Sequence, residues 1–168
     1  MPEEVWMQSM QLPLELSSVS RARRFFSAIA EAAGLPSSLI ETGTLALSEL
    51  VTNAVVHGEV PIEVRTFVGD ASVRVEVSDS GDRVPQIVAM QSSSRESGRG
   101  LAIVDAITEA WGFEPARDGP GKSVWFRLAR SPSARRWPPR SGRSSRSAET
   151  KSPAASGTES RINRPMPT

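Results

Sequence analysis

The chain has 168 residues, which suits one domain with a substantial core and room for a tail. It has no cysteine and one histidine, so disulfides, thiolate metal sites and multi-histidine metal sites are excluded. The N-terminus, MPEEVWMQSM, is acidic and lacks an apolar signal core. No apolar run approaches the roughly 20 residues that span a bilayer, so a cytoplasmic location is expected.

The net charge of +1 divides unevenly along the chain. Residues 1–130 carry 12 Lys and Arg against 17 Asp and Glu, whereas residues 131–168 carry 8 against 2. The second part is rich in Ser, Pro and Arg, a composition that buries too little apolar surface to offset the entropy of ordering. We therefore expect an N-terminal extension over residues 1–9, a folded domain over residues 10–130 and a disordered tail over residues 131–168.

Periodicity predicts eight elements. Residues 11–16 alternate as an edge strand does, and a helix capped by Ser18 or Ser20 runs to residue 33, where Gly34 ends it. A second helix covers residues 39–57 and ends at Gly58. The later elements are strands over 61–68 and 72–78, a loop over 82–96, a helix over 99–108, and strands over 109–115 and 123–128.

This order, β-α-α-β-β-α-β-β, indicates the fold class. Sequential strands joined by short turns pair in antiparallel fashion. Two long helices of this kind cover one face of such a sheet. The expected architecture is an α/β (α+β) two-layer sandwich, with a mostly antiparallel mixed sheet and its helices on one face.

The segment over residues 45–58, LALSELVTNAVVHG, is typical of an amphipathic helix with Glu49 and Asn53 one turn apart on the same face. A carboxylate and a carboxamide next to a buried side are costly unless they are used. From this segment alone, a functional pair and a solvated polar stripe remain equally open. The residues expected to supply the buried side are Leu47, Leu50, Val51, Ala54 and Val55.

A second motif, Asp79-Ser80-Gly81, follows a strand of alternating valines. An ionised carboxylate at a buried strand end is well placed to accept a hydrogen bond from an exocyclic amine, and a glycine lets the backbone approach a flat ring. Asp-x-Gly is also an ordinary strand-ending turn, so this motif alone leaves both interpretations open.

A third motif, Gly98-Arg99-Gly100-Leu101, opens a helix, where free backbone N–H groups and the helix dipole favour an anion. It is not a dinucleotide fingerprint, because the third glycine of that pattern would fall at Ile103. The GKS of residues 121–123 is not a P-loop, because residue 116 is not the required glycine and a strand follows instead of a helix.

Together these motifs resemble the GHKL (histidine kinase-like) ATPase superfamily, which includes gyrase, the MutL mismatch-repair protein, sensor histidine kinases and a heat-shock chaperone. The phrases LSELVTNAVVHG and GRGLAIVDAI are most similar to small single-domain anti-sigma-factor serine kinases of the RsbW and SpoIIAB type. The resemblance covers roughly residues 10–130. It implies an α/β sandwich that holds ATP between its helices and a flexible lid.

The resemblance implies roles for the matching residues. Glu49 would act as the general base at the γ-phosphate, and Asn53 would supply a carboxamide oxygen to Mg²⁺. Asp79 would read the adenine amino group, and Ser123 would support the adenine site at a position where the family usually carries threonine. His57 and Arg95 stay open between a phosphate contact and an ordinary structural or solvated role. The residues implied to contact the nucleotide are Asn53, Asp79, Gly81, Gly98, Arg99, Gly100, Leu101 and Ser123.

The activity that the resemblance implies is that of a serine/threonine protein kinase. Its expected partners are a STAS-domain anti-anti-sigma protein, which it phosphorylates, and a sigma factor, which it holds inactive. The alternative from another class is a non-catalytic ATP-binding partner-switching module. A homodimer is an open alternative, no membrane partner is expected, and nucleic-acid binding through the basic tail is the weakest hypothesis because the folded part is acidic.

Overall fold

The computed structural model describes residues 5–82, 99–117 and 119–130. Within these ranges the elements follow the predicted order. They are β1 (Trp6–Leu12), α1 (Ser17–Ala32), α2 (Ser37–His57), β2 (Ile62–Val68), β3 (Ser72–Asp79), α3 (Arg99–Ile107), β4 (Ala110–Pro115) and β5 (Lys122–Ala129). The predicted loop, apart from Asp82, and the predicted tail lie outside the described residues.

The five strands form one sheet in the order β1-β2-β3-β5-β4, and each neighbouring pair is antiparallel. β2 buries every second residue, from Ile62 to Val68, because successive side chains of a strand point to opposite faces. The buried hydrophobic residues of the sheet and of all three helices form one core. The predicted two-layer α/β sandwich is confirmed, and its sheet is antiparallel throughout the described strands.

β1 corrects the prediction for the first strand. It begins at Trp6 and ends at Leu12, whereas the alternation had indicated residues 11–16. Pro13 has no N–H to donate to a neighbouring strand and follows the last paired residue. An edge strand is placed by its pairing with β2, which a local pattern does not reveal. Residues 6–9 of the predicted N-terminal extension therefore belong to the sheet.

α1 begins without the predicted serine cap and ends as predicted. The N-cap is Leu16, and the hydroxyls of Ser18 and Ser20 donate instead to carbonyl oxygens upstream in the chain. At the other end, Gly34 has a φ of 67°, in the left-handed region that favours glycine. Its N–H donates to the Glu31 carbonyl at 3.0 Å, which satisfies one of the last carbonyls of the helix.

α2 is the central helix of the core. Leu47, Leu50, Val51 and Ala54 are buried, as predicted. Among the described helices, α2 is the one with the length and apolar composition of a membrane span. Part of its apolar surface, including Leu47, Leu50 and Val51, packs in the core of the domain, whereas Leu45 and Val56 are exposed. The predicted end at Gly58 is confirmed.

Candidate functional site

The end of α2 and the end of β3 meet at Asp79. Asp79 is the last residue of β3 and is 4% exposed. Gly58 is so close to it that a Cβ at Gly58 would lie 2.7 Å from Asp79 Cγ and 2.5 Å from the Ala54 carbonyl oxygen. Only glycine fits this contact. The sequence pattern predicts Gly58 as a helix end, and its contact with Asp79 is visible only in the folded chain.

The Asp79 carboxylate uses one of its two oxygens in hydrogen bonds with described residues. Oδ1 accepts hydrogen bonds from the Gly81 N–H at 2.9 Å and from the Lys122 ammonium at 2.8 Å. Among the hydrogen bonds between described residues, none involves Oδ2, which leaves that oxygen for a donor on a ligand. The Asp79-Ser80-Gly81 segment therefore ends the strand in a turn, and the hydrogen bonds to Oδ1 orient the Asp79 carboxylate.

The turn between β4 and β5 closes the other side of Asp79. Gly121 has a φ of 106°, and a Cβ there would collide with the Asp79 carbonyl oxygen. Lys122 lies directly opposite Asp79 in the pairing of β5 with β3. Sequence reasoning missed Lys122 as a site residue, although its period-two spacing from the buried Val124 and Phe126 would have placed it on the Asp79 face.

Ser123 does not occupy the position that the resemblance implied. It pairs with Ser78, so its side chain lies on the opposite face of the sheet from Asp79. The Ser123 hydroxyl is buried and has no hydrogen-bond partner among the described residues. Lys122, one residue earlier, stands on the Asp79 face instead. The strand register therefore places Lys122, and not the predicted Ser123, on the Asp79 face, because a shift of one residue in a strand reverses the face.

The other end of the site joins α2 to α3. Glu49 is half-buried on α2, and a Cβ at Gly100 would lie 2.5 Å from Glu49 Oε2. The carboxylate therefore rests against the backbone of the first turn of α3. Asn53 is also half-buried, one turn further along the same face of α2. The structure thus places the Glu49 carboxylate against Gly100 of the predicted phosphate-binding motif.

The rest of the third motif is only partly described. Arg99 is exposed at the start of α3. Leu101 is 3% exposed and belongs to the core, so its backbone N–H rather than its side chain is the group that can face an anion. Gly98 and Arg95 lie outside the described residues. His57 is half-buried in the last turn of α2.

α2 links the two ends of the site. From Glu49 to Gly58 the helix advances nine residues, which is about 13 Å at a rise of 1.5 Å per residue. One end holds the buried Asp79 carboxylate, whose Oδ2 has no hydrogen bond with a described residue. The other end holds Gly100 in the first described turn of α3, within the motif that the sequence predicts as an anion site. This arrangement matches a ligand with an exocyclic amine at one end and phosphates at the other.

A metal ion would need ligands from the bound molecule. The described residues contain no group of three or more His, Cys, Asp or Glu side chains that could hold a metal ion. Mg²⁺ commonly takes one or two protein oxygens and completes its shell with phosphate oxygens and water. Asn53 fits a cation of that kind, because its carboxamide lies one turn from the glutamate that touches α3.

Comparison with known proteins gives the family. The histidine kinase domain of the blue-light activated histidine kinase from Erythrobacter litoralis EL346 is similar to this chain, with 21% identity and a TM-score of 0.42. The match covers 71% of this chain and 62% of that one, and so weak a likeness carries no argument about activity. No curated protein matches the chain. The family model described as "Histidine kinase-like ATPase domain" matches residues 12–128. Because that match spans most of the chain, the protein belongs to the histidine kinase-like ATPase domain family, and this membership supports ATP binding and a kinase-like function.

Proposed function

We propose that this chain is an ATP-binding anti-sigma regulatory factor with serine/threonine kinase activity. It phosphorylates a serine on a STAS-domain partner and holds a sigma factor inactive. Family membership supports ATP binding and kinase-like chemistry. The phrases LSELVTNAVVHG and GRGLAIVDAI support the narrower assignment through their resemblance to the small anti-sigma-factor kinases.

One observation carries the proposal: α2 contacts Asp79 through Gly58 and contacts Gly100 through Glu49. A nucleotide lying along α2 would have its base at Asp79 and its phosphates at the start of α3. The dipole of α3 favours negative charge at that end. The same placement leaves the Glu49 carboxylate beside the phosphates, where a phosphoryl group is transferred.

The chemistry assigned to Glu49 is general-base catalysis. Its carboxylate accepts the proton of the partner's serine hydroxyl while that oxygen bonds to the terminal phosphorus of ATP. The bond from this phosphorus to the bridging oxygen breaks, and ADP leaves. A positioned base contributes about 10²–10⁴-fold to such a step. Mg²⁺, when bound, neutralises charge on the phosphates, and the Asn53 carboxamide is the protein oxygen offered to it.

Phosphorylation supplies the switch between partners. A phosphoserine carries about −1.5 to −2 charge at pH 7. The folded part of this chain is itself acidic, with 17 Asp and Glu against 12 Lys and Arg in residues 1–130. A phosphorylated partner is therefore repelled from it, which leaves the chain to bind the sigma factor.

Transfer of label from ATP tests the kinase assignment. The full chain is mixed with Mg²⁺, ATP labelled at the γ-phosphate and a candidate STAS-domain protein. We expect label on a serine of the partner. Glu49→Ala should bind ATP within about tenfold of wild type, since a base acts mainly in the transition state, and should transfer about 10²–10⁴-fold more slowly. Glu41→Ala is the matched control, because Glu41 is an exposed glutamate on the same helix.

Two outcomes would contradict the assignment. If the chain binds ATP and the partner but no label moves, the alternative of a non-catalytic module is favoured, in which nucleotide sets the shape of a partner-binding face. If Glu49→Ala transfers at the wild-type rate, Glu49 is not the base.

The sigma-factor half of the proposal is tested separately by mixing the purified chain with candidate sigma factors. Binding that is unaffected by the unphosphorylated partner would refute partner switching.

A further inference from the structure

The Asp79–Lys122 ion pair has a feature that the family resemblance does not explain. The Lys122 ammonium lies 2.8 Å from Asp79 Oδ1 and 3.4 Å from the Gly81 carbonyl oxygen. The side chains of Lys122 and Asp79 are 14% and 3% exposed. Removing two charges from water is costly unless the remaining donors and acceptors of the pair are also satisfied. A buried ion pair at the end of a strand is therefore costly unless a ligand satisfies its remaining donor and acceptor.

Among the residues that the structure describes, the pair has one N–H donor and one carboxylate oxygen without a partner. An ammonium has three N–H donors, and the hydrogen bonds between described residues use two acceptors at most, Asp79 Oδ1 and the Gly81 carbonyl. The same set of hydrogen bonds leaves Asp79 Oδ2 without a donor. A carboxylate oxygen and an N–H thus stand side by side at the end of the site where α2 meets β3.

Sheet geometry holds these two groups in register. Lys122 and Asp79 are direct partners across β5 and β3, and Gly121 allows the turn to come into contact with the Asp79 backbone. Ser123 points to the other face. The resemblance predicts a hydroxyl beside Asp79, but the side chain on that face is the charged donor Lys122. The strand holds the Cβ of Lys122 in a fixed place.

We propose that Lys122 reads the base directly: its ammonium donates to ring nitrogen N1 of adenine while Asp79 accepts from the adjacent 6-amino group. This inference rests on the proposed function, since it requires ATP at the site. Adenine carries a donor and an acceptor next to each other on this edge, which complements a carboxylate beside an ammonium. Guanine has a carbonyl oxygen at position 6 and an N–H at position 1, so both contacts would be mismatched.

Two analogues of ATP separate the two contacts. The 1-deaza analogue has C–H in place of N1 and keeps the 6-amino group, whereas purine riboside triphosphate keeps N1 and lacks the amino group. Calorimetry on the full wild-type chain with Mg²⁺ should show about tenfold or greater preference for ATP over each analogue, since each lacks a hydrogen bond to a charged group. Lys122→Met should bind ATP and the 1-deaza analogue equally. It should still prefer ATP over purine riboside triphosphate, because Asp79 remains.

Lys151→Met is the control for the change in net charge, since Lys151 is the chain's other lysine and lies outside the described residues. It should keep both wild-type preferences. Equal affinity of the wild type for ATP and the 1-deaza analogue would overturn the proposal without any variant, so it stays testable even if Lys122→Met fails to fold. A Lys122→Met chain that binds ATP and the 1-deaza analogue more weakly, but with the wild-type ratio of affinities, would also overturn the proposal. Lys122 would then only hold Asp79 in place.

The same measurements separate this proposal from the proposed function. Wild-type chain that binds no ATP would refute both. Wild-type chain that binds ATP with the expected preferences but transfers no phosphate would refute the kinase assignment and support base reading by Lys122. Wild-type chain that transfers phosphate normally but binds ATP and the 1-deaza analogue equally would refute only the reading of the base by Lys122.

Discussion

Replacing Gly100 by alanine tests whether the Glu49 carboxylate is positioned for chemistry. Gly100 is a buried residue in the first turn of α3, and it is not among the glycines with positive φ, so alanine adopts its backbone without strain. The added Cβ would lie 2.5 Å from Glu49 Oε2, whereas ordinary contact begins near 3.4 Å. The carboxylate oxygen must therefore withdraw by about 0.9 Å.

This displacement should lower the rate and spare the stability. A misplacement of about 1 Å can cost roughly 10²-fold in rate, which corresponds to about 2.7 kcal/mol in the barrier. Alanine in place of glycine in a helix stabilises by up to about 1 kcal/mol. The clashing atom is the end of a flexible side chain, so the fold can absorb it. We expect phosphoryl transfer to fall about 100-fold and the thermal midpoint to stay constant or rise by about 2–4 °C.

A double-mutant cycle assigns the effect to Glu49. Single-turnover transfer from labelled ATP is measured in wild type, Gly100→Ala, Glu49→Ala and the double variant, together with the thermal midpoint of each. With Glu49 replaced by alanine there is no carboxylate to displace, so Gly100→Ala should cost no further rate in that background. Calorimetry checks that each variant still binds ATP.

Two results would refute this reasoning. A Gly100→Ala chain with the wild-type rate would show that the contact between Glu49 and α3 does not position the carboxylate for transfer. An equal loss of rate in the Glu49→Ala background would attribute the effect to the backbone of α3 and its phosphate contacts instead.

Base choice, backbone fit and the tail provide further tests. Wild type should bind ATP about 10²-fold more tightly than GTP by calorimetry, because guanine puts a carbonyl oxygen against Asp79, and equal affinities would refute the adenine site. Gly121→Ala should lower the thermal midpoint by about 4–8 °C more than Gly119→Ala, since both glycines have positive φ but only Gly121 meets backbone. Equal losses would argue against the clash. Removing residues 131–168 should leave the midpoint within about 2 °C, because their composition buries little and Arg130, which donates to two backbone carbonyls, is retained. A larger loss would refute that boundary.

Local patterns were sufficient to predict most of the elements. The alternation in β2 and β3 and the long apolar face of α2 are properties of consecutive residues, and Gly34 ends α1 through its own left-handed backbone conformation. The first strand was wrongly predicted at residues 11–16, because the limits of an edge strand are set by its pairing with the neighbouring strand. β1 pairs with β2 over its whole length, and that pairing is not a local property.

The same division holds for the site. The sequence by itself determined that a glutamate and an asparagine share a face of α2, that a carboxylate ends β3, and that a glycine lies in the first turn of α3, because each motif is local. Only the tertiary structure decided that Gly58 packs against Asp79 and that Glu49 rests on Gly100. It also decided that Lys122, rather than Ser123, shares a face with Asp79. These contacts join residues far apart in the chain, and they depend on helix packing and on strand register, where a shift of one residue moves a side chain to the opposite face.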